Sequence, residues 1–275
     1  MHRIARILIL AAAGVLTSAG SVEAQRYGRF GGMPSRVRLG SGLPDIPTGF
    51  TFCRLAYMSV RRDGSGNGWT TDFPEAERNL LTRIEELTTT HASKWSHGEP
   101  GYAIVSATDP ELYKCPFVMA TDVGELGFQP QEVDALRDYL DKGGFFWADD
   151  FWGSSGWAHF SEQVRRLYPD RPLVELKPDH PLFTQLYIIT SVPQIPSLNS
   201  WNSSGGSTSE LGRDSQVPSM WAISDEDGRI LVLVTHNTDV SDGWEREAYS
   251  SEYFYLFSPP AYAVAVNVLL WAMSH

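Results

Sequence analysis

An α/β fold with a mostly parallel central sheet between two helical layers is what this sequence predicts, and three observations predict it. The runs over residues 102–107, 117–121 and 145–148 are apolar at successive positions, as strands covered on both faces must be. Segments with apolar residues three and four apart separate these runs, so helices cross between the strands. A chain of 275 residues, 42% hydrophobic and 20% charged, carries enough apolar material for one domain of this kind.

Residues 1–24 read as a secretory signal peptide. Arg3 and Arg6 precede an apolar run over 7–16, and Val22, Glu23 and Ala24 form a small-x-small cleavage signal. The run is short for a bilayer span, so the mature protein is expected outside the cytoplasm, periplasmic or extracellular, with no membrane attachment after cleavage. Cleavage removes two Arg and one Glu and takes the formal charge from −11 to −12. Such a surface repels nucleic acid and anionic lipid, and leaves neutral or cationic partners such as a glycan, a metal ion or a basic peptide or protein. Residues 25–49, rich in Gly, Pro, Arg and Ser and without apolar periodicity, form a linker ahead of a single domain over 50–275. Export permits a disulfide between Cys53 and Cys115. Both lie in or beside apolar strands, however, where a lone Cys is most often a small buried hydrophobe, and two unpaired thiols are the expectation.

The first strand falls within 50–60, where aromatic and branched residues alternate. A Gly-rich loop over 61–71 follows, and Asp72, Phe73, Pro74 and Glu75 have the form of a capping box for a helix running to about Thr88. Neither phosphate-loop spacing fits that loop, which reads as a mobile surface segment able to act as a lid. A second helix begins at Pro130, buries Val133, Leu136 and Leu140, and stops at Lys142 and Gly143. The central strand over 145–148 then ends in Asp149 and Asp150, and the next helix turns Phe160, Val164 and Leu167 inward. Strands are expected over 173–176 and 187–190, a surface loop over 193–212, a strand pair over 220–224 and 229–235, and an apolar helix over 260–273.

Ligands of open α/β sheets bind beyond the carboxyl ends of strands, so Asp149 and Asp150 stand at the expected site. Successive side chains on a strand point to opposite faces. Unless the strand has already broken at Asp149, only one of the pair faces the crevice; Asp150, further out, is the site candidate and Asp149 the structural partner. Trp152, Trp157, Asp179, His180, Asn237, Asp239, Trp244 and Glu245 fall in neighbouring loops after other strands, and with Asp150 they make an acidic, aromatic set of ligand-binding candidates. Asp242 belongs to the same loop.

The order GGFFWADDF, DHPLF, NTDVSDGWE resembles the bacterial domain-of-unknown-function family 4159, over the chain from about Phe50 to its end. Members resemble the class I glutamine amidotransferase-like superfamily, which implies a flavodoxin-like three-layer sandwich but no agreed reaction. The His180-Pro181 turn also resembles trehalose-utilisation-type proteins of that superfamily, a hint of carbohydrate.

Several chemistries are excluded or left open. An amidotransferase needs a Cys on a strand-to-helix elbow, and neither Cys is so placed. Gly153, Ser154, Ser155 and Gly156 stand between a strand and a helix, but the spacing is not the G-x-S-x-G of a serine elbow with His180 or His236 as base. No CxxC or HExxH pattern is present, the loop from Asn237 has Asp242 and Ala248 where a calcium loop needs Gly and Glu, and no metal or cofactor is expected. Two readings remain: a module that binds a ligand or partner in an acidic-aromatic cleft, or a carboxylate-dependent hydrolase acting on carbohydrate through Asp150 and a second acid such as Asp179 or Asp239.

Overall fold

The computed structural model describes residues 49–64 and 66–275, so the signal peptide and all but the last residue of the linker lie outside the described residues. In chain order the elements are β1 (Phe52–Ala56), β2 (Met58–Ser59), α1 (Glu75–Leu87), β3 (Tyr102–Ser106), β4 (Val118–Ala120), β5 (Leu126–Gly127), α2 (Pro130–Asp141) and β6 (Phe146–Ala148). They continue with α3 (Gly153–Leu167), β7 (Val174–Glu175), α4 (Leu198–Ser204), β8 (Ser219–Ser224), β9 (Ile230–His236), α5 (Asp242–Glu245) and α6 (Ser251–Ser274).

Seven strands form one sheet in the order β3-β1-β4-β6-β9-β8-β7. The first five run parallel, and β8 and β7 extend the sheet by antiparallel pairing. Numbered along the chain, the five parallel strands lie in the order second, first, third, fourth, fifth, which is the flavodoxin-like order. The apolar runs have the alternation that two covered faces require. Phe146 and Ala148 pack with Val133 and Leu136 of α2 and Phe160 and Val164 of α3. Trp147 points the other way, into the layer that holds Leu80 and Ile84 of α1 and Val264 and Val268 of α6. Each such buried side chain contributes roughly 1.5–3 kcal/mol relative to exposure, so the three layers are held mainly by these two apolar seams. By length and composition α6 could cross a membrane, but 61% of its apolar window is buried, as expected of a helix lying on a sheet face.

Several expectations from the sequence are corrected. Cys53 and Cys115 are joined in a disulfide: β1 and the segment before β4 are neighbours, a proximity that a separation of 62 residues does not reveal. In the loop-entropy account such a closure is worth roughly 4 kcal/mol. No strand forms over 187–190; the amide of buried Asn267 bonds the backbone of Leu182, Leu186 and Tyr187 and takes the place of a strand neighbour. The last helix starts at Ser251, with Ser250 accepting from Tyr253 N–H, and carries Pro259 and Pro260 inside it. The 193–212 segment is not structureless, since Ser197 caps the short helix α4. The capping box at Asp72 is absent: Pro74 precedes α1, and the Asp72 side chain turns elsewhere.

Candidate functional site

Short polar residues in the left-handed region mark one edge of the sheet. Asp122 follows β4 (φ 53°), Asp150 follows β6 (φ 53°), Asn237 follows β9 (φ 59°), and Asp72 precedes α1 (φ 65°). Asp and Asn tolerate this conformation better than other side chains with a Cβ, and backbone strain of this kind collects at functional sites. All four are buried.

The neighbouring aspartates lie beyond the end of β6 at Ala148, with Asp150 in the left-handed region, and their hydrogen bonds rather than strand alternation divide their roles. Asp149 accepts from Thr235 Oγ1 at 2.5 Å, Ser241 N–H at 3.0 Å and Ser241 Oγ at 3.1 Å, which ties β6 to β9 and to the loop beyond it. Among the described residues Asp150 accepts the Trp152 indole N–H, at 3.2 Å on Oδ1. One oxygen each from Asp72, Asp150 and Asp239 lie within 4.8 Å of one another. Asp72 and Asp239 are likewise bonded on one oxygen each, Asp72 by Ser241 Oγ at 2.7 Å and Asp239 by Ser241 Oγ at 3.2 Å and Asp242 N–H at 2.8 Å. Asp72, Asp242 and Glu245 form an adjoining trio, and Asp63, Asp122 and Glu125 a third beside the β1–β4 boundary where the strand order reverses.

Few basic groups answer these acids. Arg54 is fully buried beneath them, but its Nε is committed to Glu77 at 2.5 Å and its Nη1 to Thr121 Oγ1 at 2.6 Å. Arg246 Nε stands 2.7 Å from Glu245 Oε2 and 3.4 Å from Asp242 Oδ1. Burial, followed by the charge of Asp242, raises the Asp72 carboxyl to about 7. Burial raises Asp149 to about 6 against its hydrogen bonds, and burial with the charges of Asp72 and Asp242 raises Glu245 to about 9 despite Arg246. Asp150 and Asp239 are driven well above the usual carboxylate range, first by burial and then by neighbouring charges, Asp72 foremost at Asp150 and Asp150 foremost at Asp239. The rim can thus hold protons, or replace them with a cation.

Other candidates lie apart from this nest or serve the framework. His180 rests its ring 5.1 Å from Trp271, whereas α6 meets the rim at Tyr253, whose hydroxyl donates to Asp242. Those two residues are 18 positions apart on α6, roughly 27 Å at 1.5 Å per residue, so His180 and exposed Asp179 sit away from the rim. Asn237 binds Gly153 N–H and the Val217 carbonyl, holding loops together. Trp244 is fully buried against Trp147, Trp152 is 4% exposed, and Trp157 is stacked among Phe151, Trp221 and His236. The rim is therefore acidic without open aromatic faces. Neither serine of the Gly153–Gly156 turn meets a histidine: Ser154 donates to Asp214 and Ser155 Oγ accepts from Arg61. His236 Nε2 is spent on the Gly153 carbonyl, and burial lowers that imidazole to about 4. Sequence reasoning missed Asp72, reading it as a helix cap; an Asp two residues before a Pro, after a Gly-rich loop, was the only signal.

The family described as a domain of unknown function, DUF4159, matches residues 51–273. The chain belongs to this family. No curated protein matches the chain. The family's description assigns no reaction, which leaves the chemistry to be argued from the rim itself.

Proposed function

We propose that this DUF4159 domain is exported and binds a cationic ligand, a calcium ion in the simplest case, through Asp72, Asp150 and Asp239. One observation carries the reading: three buried carboxyls converge to within 4.8 Å, and the hydrogen bonds they accept fall on one oxygen of each. Oxygens on opposite sides of Ca²⁺ stand about 4.6–5.2 Å apart, so three atoms inside 4.8 Å can share one ion with little movement. The expectation of no metal, drawn from missing motifs, is thereby revised. The acids come from three separate loops, which no local motif can encode. The Cys53–Cys115 disulfide supports an oxidising compartment, in agreement with the leader-like residues 1–24.

The hydrolase reading has less support. Paired glycosidase carboxyls stand about 5–9.5 Å apart with sugar between them, whereas these crowd closer and Asp150 and Asp239 are 3% and 2% exposed. The strand order supports placing the fold in the glutamine amidotransferase-like superfamily, but with both cysteines in the disulfide that chemistry has no thiol nucleophile. The test is a calorimetric titration of the purified domain with CaCl₂ and with MgCl₂, repeated on Asp239→Asn. Saturable heat with calcium that disappears in the variant is expected; no binding of either ion by the native domain would overturn the proposal.

A further inference from the structure

A second site of opposite character lies on the far side of α3. Where that helix, the 169–173 segment and β8 meet, a groove of ≈ 420 Å³ opens to solvent, a volume in the range of small-molecule sites. Trp157, Leu173 and Ile223 form its apolar wall. Trp157 is braced by Phe151 and Trp221, so that wall is rigid. Arg165, Arg171 and Ser161 supply its polar side, with Asp170 the single acid among the lining residues. On a chain of net charge −11, a groove with two guanidinium groups and one carboxylate is a local reversal of sign.

Two of its polar groups lack partners. Arg171 Nη1 and Ser161 Oγ are both buried without a hydrogen bond, a condition that costs about 1–3 kcal/mol per group and more for a charged one. The Arg171 guanidinium lies 5.1 Å from the Tyr168 ring centroid, and in its N–H fork Nη1 has no acceptor among the described residues. A planar carboxylate matches that fork. We infer that this groove binds a carboxylate carried on a six-membered ring, the anion meeting Arg171, Arg165 and Ser161 and the ring lying along Trp157, Leu173 and Ile223. The inference is independent of cation binding at the rim.

The ring can be aromatic or a sugar, and benzoate and D-glucuronate separate these sources, with acetate as the ringless control. Calorimetric titration of the native domain is expected to show saturable binding of benzoate or glucuronate, and weaker binding of acetate. Arg171→Gln should weaken the better probe at least about tenfold, and Ser161→Ala by a smaller factor, with melting curves confirming that both variants fold. Should Arg171→Gln not fold, exposed Arg165→Gln replaces it and is expected to weaken binding about threefold. Failure of both ring acids to bind, acetate binding as tightly as they do, or affinity unchanged in the folded arginine variant would each overturn the assignment.

Discussion

The two ends of the parallel sheet are built from the same residue types under opposite rules. At the amino end of β6 and β9, Asp138 meets Lys142, Asp225 meets Arg229, and Asp141 accepts from Tyr168. Arg229 also donates to the carbonyls of Gly144 and Leu140, closing the end of α2. At the carboxyl end, Asp72, Asp150 and Asp239 are buried with one another as neighbours, and Arg54, the base that acts on Asp72, is committed to Glu77. Pairing at one end serves the fold alone. Like charges gathered at the other end cost stability unless something positive or a proton joins them, and that cost is what the proposed cation would relieve.

The largest expected effect comes from removing a charge at the carboxyl end. Asp72→Asn keeps a side chain that tolerates the left-handed backbone and removes an ionised group whose folded-state pKa is about 7. At about pH 8 without divalent cations it should stabilise the domain by about 2–4 kcal/mol in urea unfolding, while abolishing the calcium heat. Destabilisation of that variant under the same conditions would break the contrast between the two ends.

Next is the pH profile of the native domain. A carboxyl with a higher pKa folded than unfolded keeps its proton in the native state where the unfolded chain has lost it. The unfolded state then binds fewer protons and stability falls as pH rises. For Asp149 at about 6, Asp72 at about 7 and Glu245 at about 9, the fall begins above the ordinary carboxylate range, near pH 4, and continues to about pH 9. Millimolar calcium should flatten it and release protons on binding near neutrality, measurable as a heat that depends on the buffer's ionisation enthalpy. A profile that rises with pH would count against uncompensated carboxyls.

A smaller effect is expected at the amino end. Asp225→Ala removes a carboxylate that accepts from Asp227 N–H and Arg229 N–H and pairs with Arg229, so it should cost about 1–2 kcal/mol with no change in calcium binding. Smallest of all, Asp138→Asn takes one partner from an exposed i, i+4 pair and should leave the melting temperature within experimental scatter.

The sequence made the layers legible because the residues of β4 and β6 are apolar at successive positions, as in doubly covered strands; the run over 102–107, read the same way, is an edge strand whose alternate residues are only half-buried. Alternation, by contrast, does not govern Asp149 and Asp150, because β6 has ended at Ala148 and Asp150 is left-handed. Partners set by long-range closure were not legible. Asp72 reaches the nest from the far side of the Gly-rich loop, 169 positions from the Ser241 hydroxyl it accepts from. Cys53 and Cys115 meet only because β1 lies beside β4. The 187–190 segment looked like a strand because its residues suit one, while its backbone partner is the side chain of Asn267. The tryptophans were misplaced for the opposite reason: they sit in loops by sequence, yet Trp152 and Trp244 are folded inward and leave the rim without an aromatic wall.

Ser241 carries a consequence of its own. Its hydroxyl oxygen lies 2.7 Å from Asp72 Oδ2, 3.1 Å from Asp149 Oδ2 and 3.2 Å from Asp239 Oδ1, yet a hydroxyl has a single hydrogen to give. It can favour only one of three claimants at a time, and its lone pairs must receive from another. The group works as a needle on a dial: its direction records which carboxylate is charged, and any ion or proton that enters the nest resets it.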